Sequence, residues 1–469
     1  MFIGRERELT LLNQLYQKDI FQFPVIYGRR RVGKTALISE FVKGKDTIFF
    51  TGFESNERQN LENFSKSIMN FISENDTAPI FPSFQSALEY IFMLAEKKRL
   101  ILVMDEYPYV AKASKSLAST LQMLIDKNKD SSKLFLILCG SSMSFMENHV
   151  LAYKAPLYGR RTAQFKIQPF DFFETCNYFK NFSPLDTAMI YGIVGGTPQY
   201  LLQMDDNLSV KENIKQTFLN PSSVLFEEPT NLLKQEVREQ AIYNAVISVI
   251  ASGATKLAEI SSKTGEESSA CSAYIKNLMA LGIVKKETPI SEKVSKKTIY
   301  SIEDNMFRFW YRFVPQNLSS INQNLPDIAY RRIEPHLSDY MGSIFEEICK
   351  QYLWKILAAG NSPIDFISLG RWWGTNSKKK EMAEINIMGI DDNNAALFGE
   401  CKWKDEKVDL QVLLTLVERS ELFHFDKKYY YLFSKTGFTE GCIKKANELG
   451  CVSLISFEDM TKKVDTWNI

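Results

Sequence analysis

Short apolar runs alternate with helical patterns over the first third of the chain. The segments Phe23–Tyr27, Leu100–Met104 and Leu134–Cys139 consist of apolar residues, and each is followed by a polar or glycine-containing turn. Strands that are buried on both faces of a parallel sheet have this pattern, with helices in the segments between them. The sequence therefore predicts an α/β fold that binds its ligand at the carboxyl ends of the strands.

The middle of the chain has a helical pattern. From Pro169 to Asn231 it is aromatic and is interrupted by Gly195–Pro198, which predicts a compact helical subdomain. From Lys234 to Glu303 three helical segments precede the ribbon Val284–Tyr300, and a Thr264-Gly265 turn separates the second segment from the third. This order is typical of a winged helix-turn-helix.

The last third returns to an α/β pattern after a polar stretch. Pro315–Asp327 contains asparagine and proline and is predicted to be a linker. Beyond it we expect a helix over Ser343–Ala358 and strands around Ile364, Ile385 and Ala396.

Composition excludes several classes of protein. The 57 Lys and Arg residues nearly balance 56 Asp and Glu residues, so the net charge of +1 rules out a uniformly basic coat for nucleic acid. Seven cysteines without a CxxC motif and only three histidines argue against a disulfide framework or a zinc ribbon. Because there is no apolar run of about 18 residues and the start of the chain is charged, we expect a cytoplasmic protein without a membrane segment.

The segment Gly28–Thr35 reads GRRRVGKT and lies directly after a predicted strand, at the start of a predicted helix. This is the phosphate-binding loop pattern, in which glycines let successive N–H groups face phosphates. Lys34 is expected to hold the β- and γ-phosphates, and the Thr35 hydroxyl is expected to ligate Mg²⁺. The loop therefore predicts ATP as ligand and Mg²⁺ as cofactor.

A second motif completes this site. The apolar run from Leu100 to Met104 is followed by Asp105 and Glu106. An aspartate at the end of a buried strand suits the metal, either directly or through water, and the adjacent glutamate suits the activation of the attacking water. We therefore expect Lys34, Asp105 and Glu106 to be catalytic.

Three further features are more ambiguous. Ser141 and Ser142 end the next strand, where a hydroxyl can sense the γ-phosphate or can cap the following helix. Arg160 can supply an arginine finger, in cis or to a neighbouring subunit, or can belong to a surface arginine pair with Arg161. Gly195–Pro198 is either part of a lid over the nucleotide or a simple turn.

Together these motifs resemble the archaeal-type ATPase branch of the AAA+/STAND P-loop NTPases. The resemblance also rests on the opening Phe2–Leu9 (FIGREREL), on Pro156–Arg160 and on Gly195–Pro198. In that family a winged helix and often a PD-(D/E)xK nuclease-like domain follow the ATPase. The resemblance also implies that the opening box contacts the adenine base. The nucleotide-binding residues so expected are Ile3, Gly4, Arg5, Gly28, Arg29, Arg30, Arg31, Val32, Gly33, Lys34, Thr35, Ala36 and Ser141.

The resulting domain prediction has five parts. They are a P-loop ATPase core at 1–168, a helical lid at 169–233, a winged helix at 234–305, a linker at 306–339 and a nuclease-like domain at 340–469.

The C-terminal part carries a second candidate site. Glu400-Cys401-Lys402 has the ExK pattern, and residues two apart on a strand share one face, which suits a carboxylate on Mg²⁺ beside an ammonium. Glu346 lies on the preceding helix and Glu384 on the neighbouring strand. Position 386, where the nuclease pattern has Asp, is Asn, and hard divalent cations bind mainly through carboxylates. The alternatives are a competent nuclease and a nuclease-like fold that only contacts DNA or protein.

Two basic segments are candidates for DNA contact. Arg371–Trp373 and Lys378–Lys380 combine cations with aromatic rings, although such a lysine run is also typical of a solvated loop. The expected wing carries several lysines, whereas the expected recognition helix opens with Glu266-Glu267, which repels phosphate. The wing lysines are Lys285, Lys286, Lys293, Lys296 and Lys297.

Three functions fit these features. The first is an ATP-dependent protein that acts on or with DNA. The second is a signalling or scaffold ATPase whose inactive nuclease-like domain binds protein partners or a second copy of the chain. The third is an ATP-binding regulator that barely hydrolyses ATP.

Overall fold

Residues 2–72, 80–290, 297–376 and 379–462 are described by a computed structural model of the protein. They divide into two units, Met1–Phe170 with Thr197–Gln199, and Asp171–Gly196 with Tyr200–Ile469.

The first unit is built around a five-stranded parallel sheet with the strand order β2-β3-β4-β1-β5. Its strands are β1 (Pro24–Tyr27), β2 (Thr47–Thr51), β3 (Leu100–Asp105), β4 (Leu134–Gly140) and β5 (Ala163–Lys166). Its helices are α1 (Glu6–Tyr16), α2 (Lys34–Val42), α3 (Glu57–Ile72), α4 (Phe84–Lys97), α5 (Tyr107–Ala113), α6 (Leu117–Asn128) and the single turn α7 (Met143–Phe145), which continues into a π-helical turn at Met146–Val150.

The strands of this sheet are buried on both faces, as the apolar runs predict. Along β3, Leu102 and Met104 pack into one core, whereas Ile101 and Val103 pack into the core on the opposite face. Alternate side chains of a strand point to opposite faces, so a strand covered by helices on both sides must be apolar throughout. The α/β prediction for this part of the chain is confirmed.

The rest of the chain contains fifteen α-helices, two short 3₁₀ helices (Pro315–Asn317 and Glu334–His336) and seven strands among the described residues. The helices are α8 (Phe172–Tyr178), α9 (Pro184–Val194), α10 (Pro198–Leu201), α11 (Val210–Thr217), α12 (Val224–Glu236), α13 (Gln240–Ala251), α14 (Leu257–Thr264), α15 (Ser268–Ala280), α16 (Asn305–Phe313), α17 (Leu318–Asn322), α18 (Pro326–Ile333), α19 (Leu337–Ala358), α20 (Leu410–Ser420), α21 (Glu440–Leu449) and α22 (Phe457–Lys462). The strands are β6 (Val284–Glu287), β7 (Ile299–Ile302), β8 (Ser368–Asn376), β9 (Glu381–Ile390), β10 (Ala395–Lys402), β11 (Lys427–Ser434) and β12 (Val452–Ser456).

The second unit contains two separate sheets. β6 and β7 form an antiparallel ribbon after the helices α13, α14 and α15. The larger sheet has the order β12-β11-β10-β9-β8; β8, β9 and β10 are antiparallel neighbours, whereas β10, β11 and β12 run parallel. The long helix α19 covers one face of this sheet and α20 the other, with separate apolar cores between them.

Two segments differ from the sequence-based expectations. The predicted linker Pro315–Asp327 is largely helical, because Ile321 of α17 and Ala329 and Ile333 of α18 bury an apolar side of these short helices. The strand expected around Ile364 begins only at Ser368, and Ile364 itself is buried in the loop before it. In both cases apolar residues were buried without the regular spacing that sequence patterns detect.

Within the described ranges, none of the helices combines the length and the apolar character needed to traverse a lipid bilayer.

The contact of α19 with the larger sheet depends on Phe345. Its ring is fully buried and packs against Trp403 and Phe457. Because a truncated aromatic side chain leaves a cavity, Phe345→Ala is expected to lower the free energy of unfolding of this unit by about 3–5 kcal/mol, as measured by urea denaturation. The control Met382→Ala removes a side chain that is 69% exposed and should cost less than about 0.5 kcal/mol. Equal effects of the two changes would contradict the packing described.

Candidate nucleotide site and a second polar site

The phosphate loop lies between β1 and α2, at the carboxyl edge of the parallel sheet. Gly33 has a φ of 88° and Arg31 a φ of 72°, both in the left-handed region. Gly28 lies so close to the end of β5 that a Cβ atom there would be 2.4 Å from the carbonyl oxygen of Ile167. The loop can therefore curl around a ligand only because residues 28 and 33 are glycines.

Lys34 is the first residue of α2 and is only 6% exposed. Its Nζ donates hydrogen bonds to the carbonyl oxygens of Gly28, at 3.0 Å, and Arg29, at 2.8 Å. Burial lowers the pKa of this ammonium, while nearby Cys139, Glu106 and Asp105 act in the opposite direction. The loop thus holds a poorly hydrated cation next to the position predicted for the phosphates, where an anion would stabilise it.

A hydrogen bond joins the two motifs of the predicted site. Thr35 Oγ1 donates to Asp105 Oδ2 at 2.8 Å, and the backbone N–H of Glu106 donates to Asp105 Oδ1 at 2.9 Å. A hydroxyl and a carboxylate are the hard oxygen donors that Mg²⁺ prefers beside a bound phosphate. Thr35 and Asp105 therefore fit the metal predicted for this site.

Glu106 occupies a strained backbone position directly after β3. Its φ of 50° and ψ of 40° are left-handed, which is uncommon for a residue with a side chain and recurs at functional sites. The Ser141 hydroxyl donates to Glu106 Oε2 at 2.8 Å, and the Ser141 N–H lies 3.4 Å from the same oxygen. The end of β4 thus orients the carboxylate that the sequence predicts as general base.

The opening box of the chain lies under the phosphate loop. The buried Arg5 guanidinium donates to the carbonyl oxygens of Val32, at 3.2 Å, and of Gln168, and it lies 4.7 Å from the centre of the Phe170 ring. Gly4, with a φ of 71°, packs against the same ring. Arg5 therefore braces the loop; the prediction that it contacts the base, together with Ile3 and Gly4, stays a prediction.

Residues Thr197–Gln199 belong to the first unit and lie beside the phosphate loop. The Gln199 N–H is 3.4 Å from the carbonyl oxygen of Arg31, and a Cβ atom on Gly33 would lie 3.7 Å from Pro198 Cγ. This end of the glycine-containing segment therefore contributes to the surroundings of the loop.

Arg160 lies away from its own chain's phosphate loop. It precedes β5, whose first residue Ala163 pairs with the first residue of β1, whereas the phosphate loop follows the last residue of β1. Its guanidinium forms two hydrogen bonds with Asp126 near the end of α6, at 2.8 and 2.6 Å. An arginine finger acting in cis would have to break these two hydrogen bonds, and it stays a prediction. A role toward a neighbouring subunit stays a prediction.

Three residues that sequence reasoning missed support the site. The Gly52 N–H donates to the Asp105 carbonyl at 2.8 Å, and a Cβ atom on Gly52 would lie 2.3 Å from a Val110 methyl group. The Tyr109 hydroxyl accepts a hydrogen bond of 2.8 Å from Arg30. Burial raises the pKa of the Cys139 thiol well above its usual range. Only Gly52, a glycine directly after a strand, carried a sequence signal.

The residues of the second candidate site meet in separate pairs. Asn386 Nδ2 donates to Glu346 Oε1 at 2.9 Å, and Asn386 Oδ1 accepts from the Cys401 N–H at 3.1 Å. Glu384 is paired with Arg371. Burial raises the pKa of Glu346 to about 7, against the influence of Arg371 and Lys350.

The ExK strand is also internally paired. Lys402 Nζ donates to Glu400 Oε1 at 2.7 Å, and Arg419 Nη1 lies 3.9 Å from Glu400 Oε2. Arg419 also donates to the carbonyl oxygen of Glu384 at 2.8 Å. Over the described ranges, no group of three or more His, Cys, Asp or Glu side chains is arranged to hold a metal ion.

The β6–β7 ribbon packs against the larger sheet. Lys285 Nζ donates to Glu347 of α19 at 2.8 Å and lies 3.4 Å from Glu287. The Ile290 N–H donates to the Arg371 carbonyl, and Trp373 Nε1 donates to the Lys297 carbonyl, both at 3.1 Å. Lys285, predicted to contact DNA, is thus committed to carboxylates of the same unit.

The other predicted basic residues have different surroundings. Lys286 is exposed on β6, and Lys379 is paired with Glu418 of α20 at 2.6 Å. Lys293, Lys296 and Lys378 lie outside the described residues.

Comparison with known proteins identifies the family. The family described as "ATPase domain predominantly from Archaea" matches residues 2–204, and a second family, of archaeal and bacterial proteins of unknown function, matches residues 310–413. An uncharacterized protein of Methanocaldococcus jannaschii is 33% identical over 445 residues, which is 93% of this chain and 96% of that protein. The chain belongs to the archaeal-type P-loop ATPase family.

Two further relatives of this archaeal-type ATPase are more limited matches. An uncharacterized ATP-binding protein of M. jannaschii is 42% identical over 45 residues, which is 10% of this chain and 76% of that protein. The solved Walker-type ATPase of Pyrococcus abyssi has 18% identity and a TM-score of 0.49, over 66% of this chain and 96% of that one.

The two serines at the end of β4 provide a matched pair of variants for this ATPase. Ser141 bonds Glu106, whereas the Ser142 hydroxyl makes no capping bond to the helical turn that follows it. We expect Ser141→Ala to lower kcat for ATP hydrolysis by about tenfold or more, because the carboxylate loses its orienting donor, while Ser142→Ala stays near wild type. Phosphate release under saturating ATP measures both. Equal rates for the two variants would contradict an orienting role for Ser141.

Proposed function

We propose that this archaeal-type P-loop ATPase binds ATP with Mg²⁺, hydrolyses it, and uses the nucleotide state to switch the attached C-terminal domains. The observation that carries the proposal is the hydrogen-bonded series from Thr35 through Asp105 and Glu106 to Ser141, at the sheet edge where the phosphate loop begins. This series combines a metal-binding pair, a general base and an orienting donor around one position.

Each residue of the series has a separate part in the proposed reaction. Lys34 exchanges its two carbonyl partners for phosphate oxygens. Thr35 and Asp105 would hold the metal, which would neutralise charge on the phosphates. Glu106 accepts the proton of the attacking water, and Ser141 fixes its carboxylate.

We also propose identities for the C-terminal domains. The order of α13, α14 and α15 followed by the β6–β7 ribbon supports a winged helix over residues 234–305. α19 followed by three antiparallel strands, a helix and a parallel strand supports a nuclease-like domain over 340–469. The ATPase core at 1–168 and the helical lid at 169–233 complete this arrangement.

The ATPase proposal is tested with two substitutions in the loop and strand. Lys34→Ala should abolish ATP binding measured by calorimetry, because the buried ammonium is lost. Glu106→Gln should retain binding but lower turnover about 100-fold or more, because the amide cannot accept the proton. Lys98→Ala removes a lysine that is 50% exposed and should leave both properties unchanged.

Wild-type protein that takes up no nucleotide at millimolar ATP would refute the proposal. Unchanged turnover in Glu106→Gln would instead favour a regulator that binds ATP without using this base.

We propose DNA as the partner of the switch. Support comes from the exposed Lys286 on the ribbon of the proposed winged helix, since backbone contacts need accessible cations. A second candidate function, a scaffold for protein partners, is favoured by one specific observation. Lys285 is already paired with Glu347 and Glu287, which removes one expected phosphate contact.

Turnover measured with and without plasmid DNA separates these candidates. A DNA-dependent switch should hydrolyse ATP several-fold faster with DNA at low salt, and the stimulation should fall as salt rises, because counterion release drives phosphate binding. Lys286→Ala should reduce the stimulation, whereas Lys98→Ala should not. Turnover that is the same with and without DNA at every salt concentration would favour the scaffold.

A further inference from the structure

The nuclease-like fold implies a divalent cation, and the residues that would hold it are Glu346, Glu384, residue 386 and Glu400. This inference rests on the proposed identity of residues 340–469. A hard cation of this kind needs several oxygen ligands, most of them anionic, that converge on one point.

Asn386 occupies the centre of this region and is engaged at both ends. Its Nδ2 donates to Glu346 Oε1 on α19 at 2.9 Å, and its Oδ1 accepts from the Cys401 N–H on β10 at 3.1 Å. The side chain thus connects α19, β9 and β10 by two hydrogen bonds. A metal ion coordinated by an aspartate at this position and a glutamate on α19 would connect the same elements through ionic contacts.

The remaining carboxylates are neutralised by the chain itself. Glu384 is paired with Arg371. Glu400 Oε1 accepts from Lys402 at 2.7 Å, whereas its buried Oε2 lies 3.9 Å from Arg419, in electrostatic contact but beyond hydrogen-bond distance. Glu346, Glu384 and Glu400 therefore lie among three basic side chains, Arg371, Lys402 and Arg419. A divalent cation would add two positive charges to a region that is already balanced, which is unfavourable at low dielectric.

The arrangement of the side chains also argues against a bound cation. Across the part of the chain that the structure describes, no three acidic, histidine or cysteine side chains converge as metal ligands. The implied cation therefore does not fit these residues.

We propose that Asn386 takes the place of the divalent cation, so that the nuclease-like domain is held together by an amide bridge and works without a metal. An aspartate at position 386 would place a second carboxylate 2.9 Å from that of Glu346, and only a bound cation or proton would relieve the repulsion. The neutral amide of Asn386 donates a hydrogen bond to Glu346, so no cation or proton is needed between the two side chains. The domain then presents a rigid polar surface to its partner and has no cleavage chemistry.

Thermal unfolding of the full-length, nucleotide-free protein tests this proposal. The melting temperature of the wild type should be the same in EDTA and in millimolar Mn²⁺. Asn386→Asp should melt several degrees lower in EDTA at neutral pH and recover in Mn²⁺, because the restored carboxylate creates the missing cation site. Asn386→Ala, which removes the bridge without adding charge, should be destabilised in both buffers.

Glu400→Gln locates the effect, since the recovery of Asn386→Asp in Mn²⁺ should be absent when both changes are combined. If Asn386→Asp does not fold, the wild type and Asn386→Ala still decide the question.

Several results would overturn the proposal. One is stabilisation of the wild type by Mn²⁺ that Glu400→Gln abolishes, because the native site would then hold a metal. Another is an Asn386→Ala variant as stable as the wild type, because the amide bridge would then contribute nothing to the stability of the domain. A third is an Asn386→Asp variant that folds but gains no stability from Mn²⁺. Calorimetry with ATP on the same variants keeps this test separate from that of the ATPase proposal, since ATP binding should be unchanged in all of them.

Discussion

The close approach of two loops at one edge of the parallel sheet is the constraint on which the candidate ATPase site depends. β1 lies between β4 and β5 in the sheet, so the turn after β1 passes beside the end of β5. A Cβ atom on residue 28 would lie 2.4 Å from the carbonyl oxygen of Ile167. Because residue 28 is a glycine, the loop fits against the end of β5. Lys34 Nζ then donates to the carbonyl oxygens of Gly28 and Arg29 in the same loop. The Thr35 hydroxyl then reaches Asp105 on β3.

That arrangement stores electrostatic and conformational energy for binding. The Lys34 ammonium is buried against carbonyl dipoles rather than a full negative charge, and burial lowers its pKa. Glu106 is held at a left-handed backbone position by its place between β3 and α5. Neither feature stabilises the nucleotide-free fold. In the proposed reaction both would become favourable, because a polyphosphate would supply negative charge and the attacking water would need a base at a fixed position.

The parts of the molecule that could be predicted from sequence are those whose structure is determined by residues close to one another in the chain. Short apolar runs such as Leu100–Met104, each followed by a turn, favour buried strands. GxxxxGKT predicts the loop because its glycines and its lysine act within eight residues. The helix expected over Ser343–Ala358 is observed within the longer α19, which ends at the predicted residue. The contact of the opening residues with the base stays a prediction, and no local pattern shows that Arg5 bonds Val32 and Gln168, which lie far from it in sequence.

The rest could not be predicted because it depends on which distant groups become neighbours. Nothing in the sequence around Arg160 shows that Asp126 will accept hydrogen bonds from its guanidinium, since 34 residues separate the two. The segment Pro315–Asp327 is polar enough to be a linker, yet a few buried aliphatic residues make it helical. The sequence does not show which lysines of the predicted wing are available for DNA contact. In the structure Lys285 forms an ion pair with Glu347, whereas Lys286 is exposed to solvent.

The same distinction separates a motif from an activity at the C-terminal site. The spacing Glu400-x-Lys402 places both side chains on one face of β10, and this much follows from strand geometry alone. Whether that face holds a metal depends on charge contributed by other elements, Arg371 from β8 and Arg419 from α20. A carboxylate with an internal cation at hydrogen-bonding distance has already exchanged its hydration for that contact, so an incoming metal must break it as well as lose its own water. An ExK motif is thus evidence for a fold, and the balance of charge around it decides its chemistry.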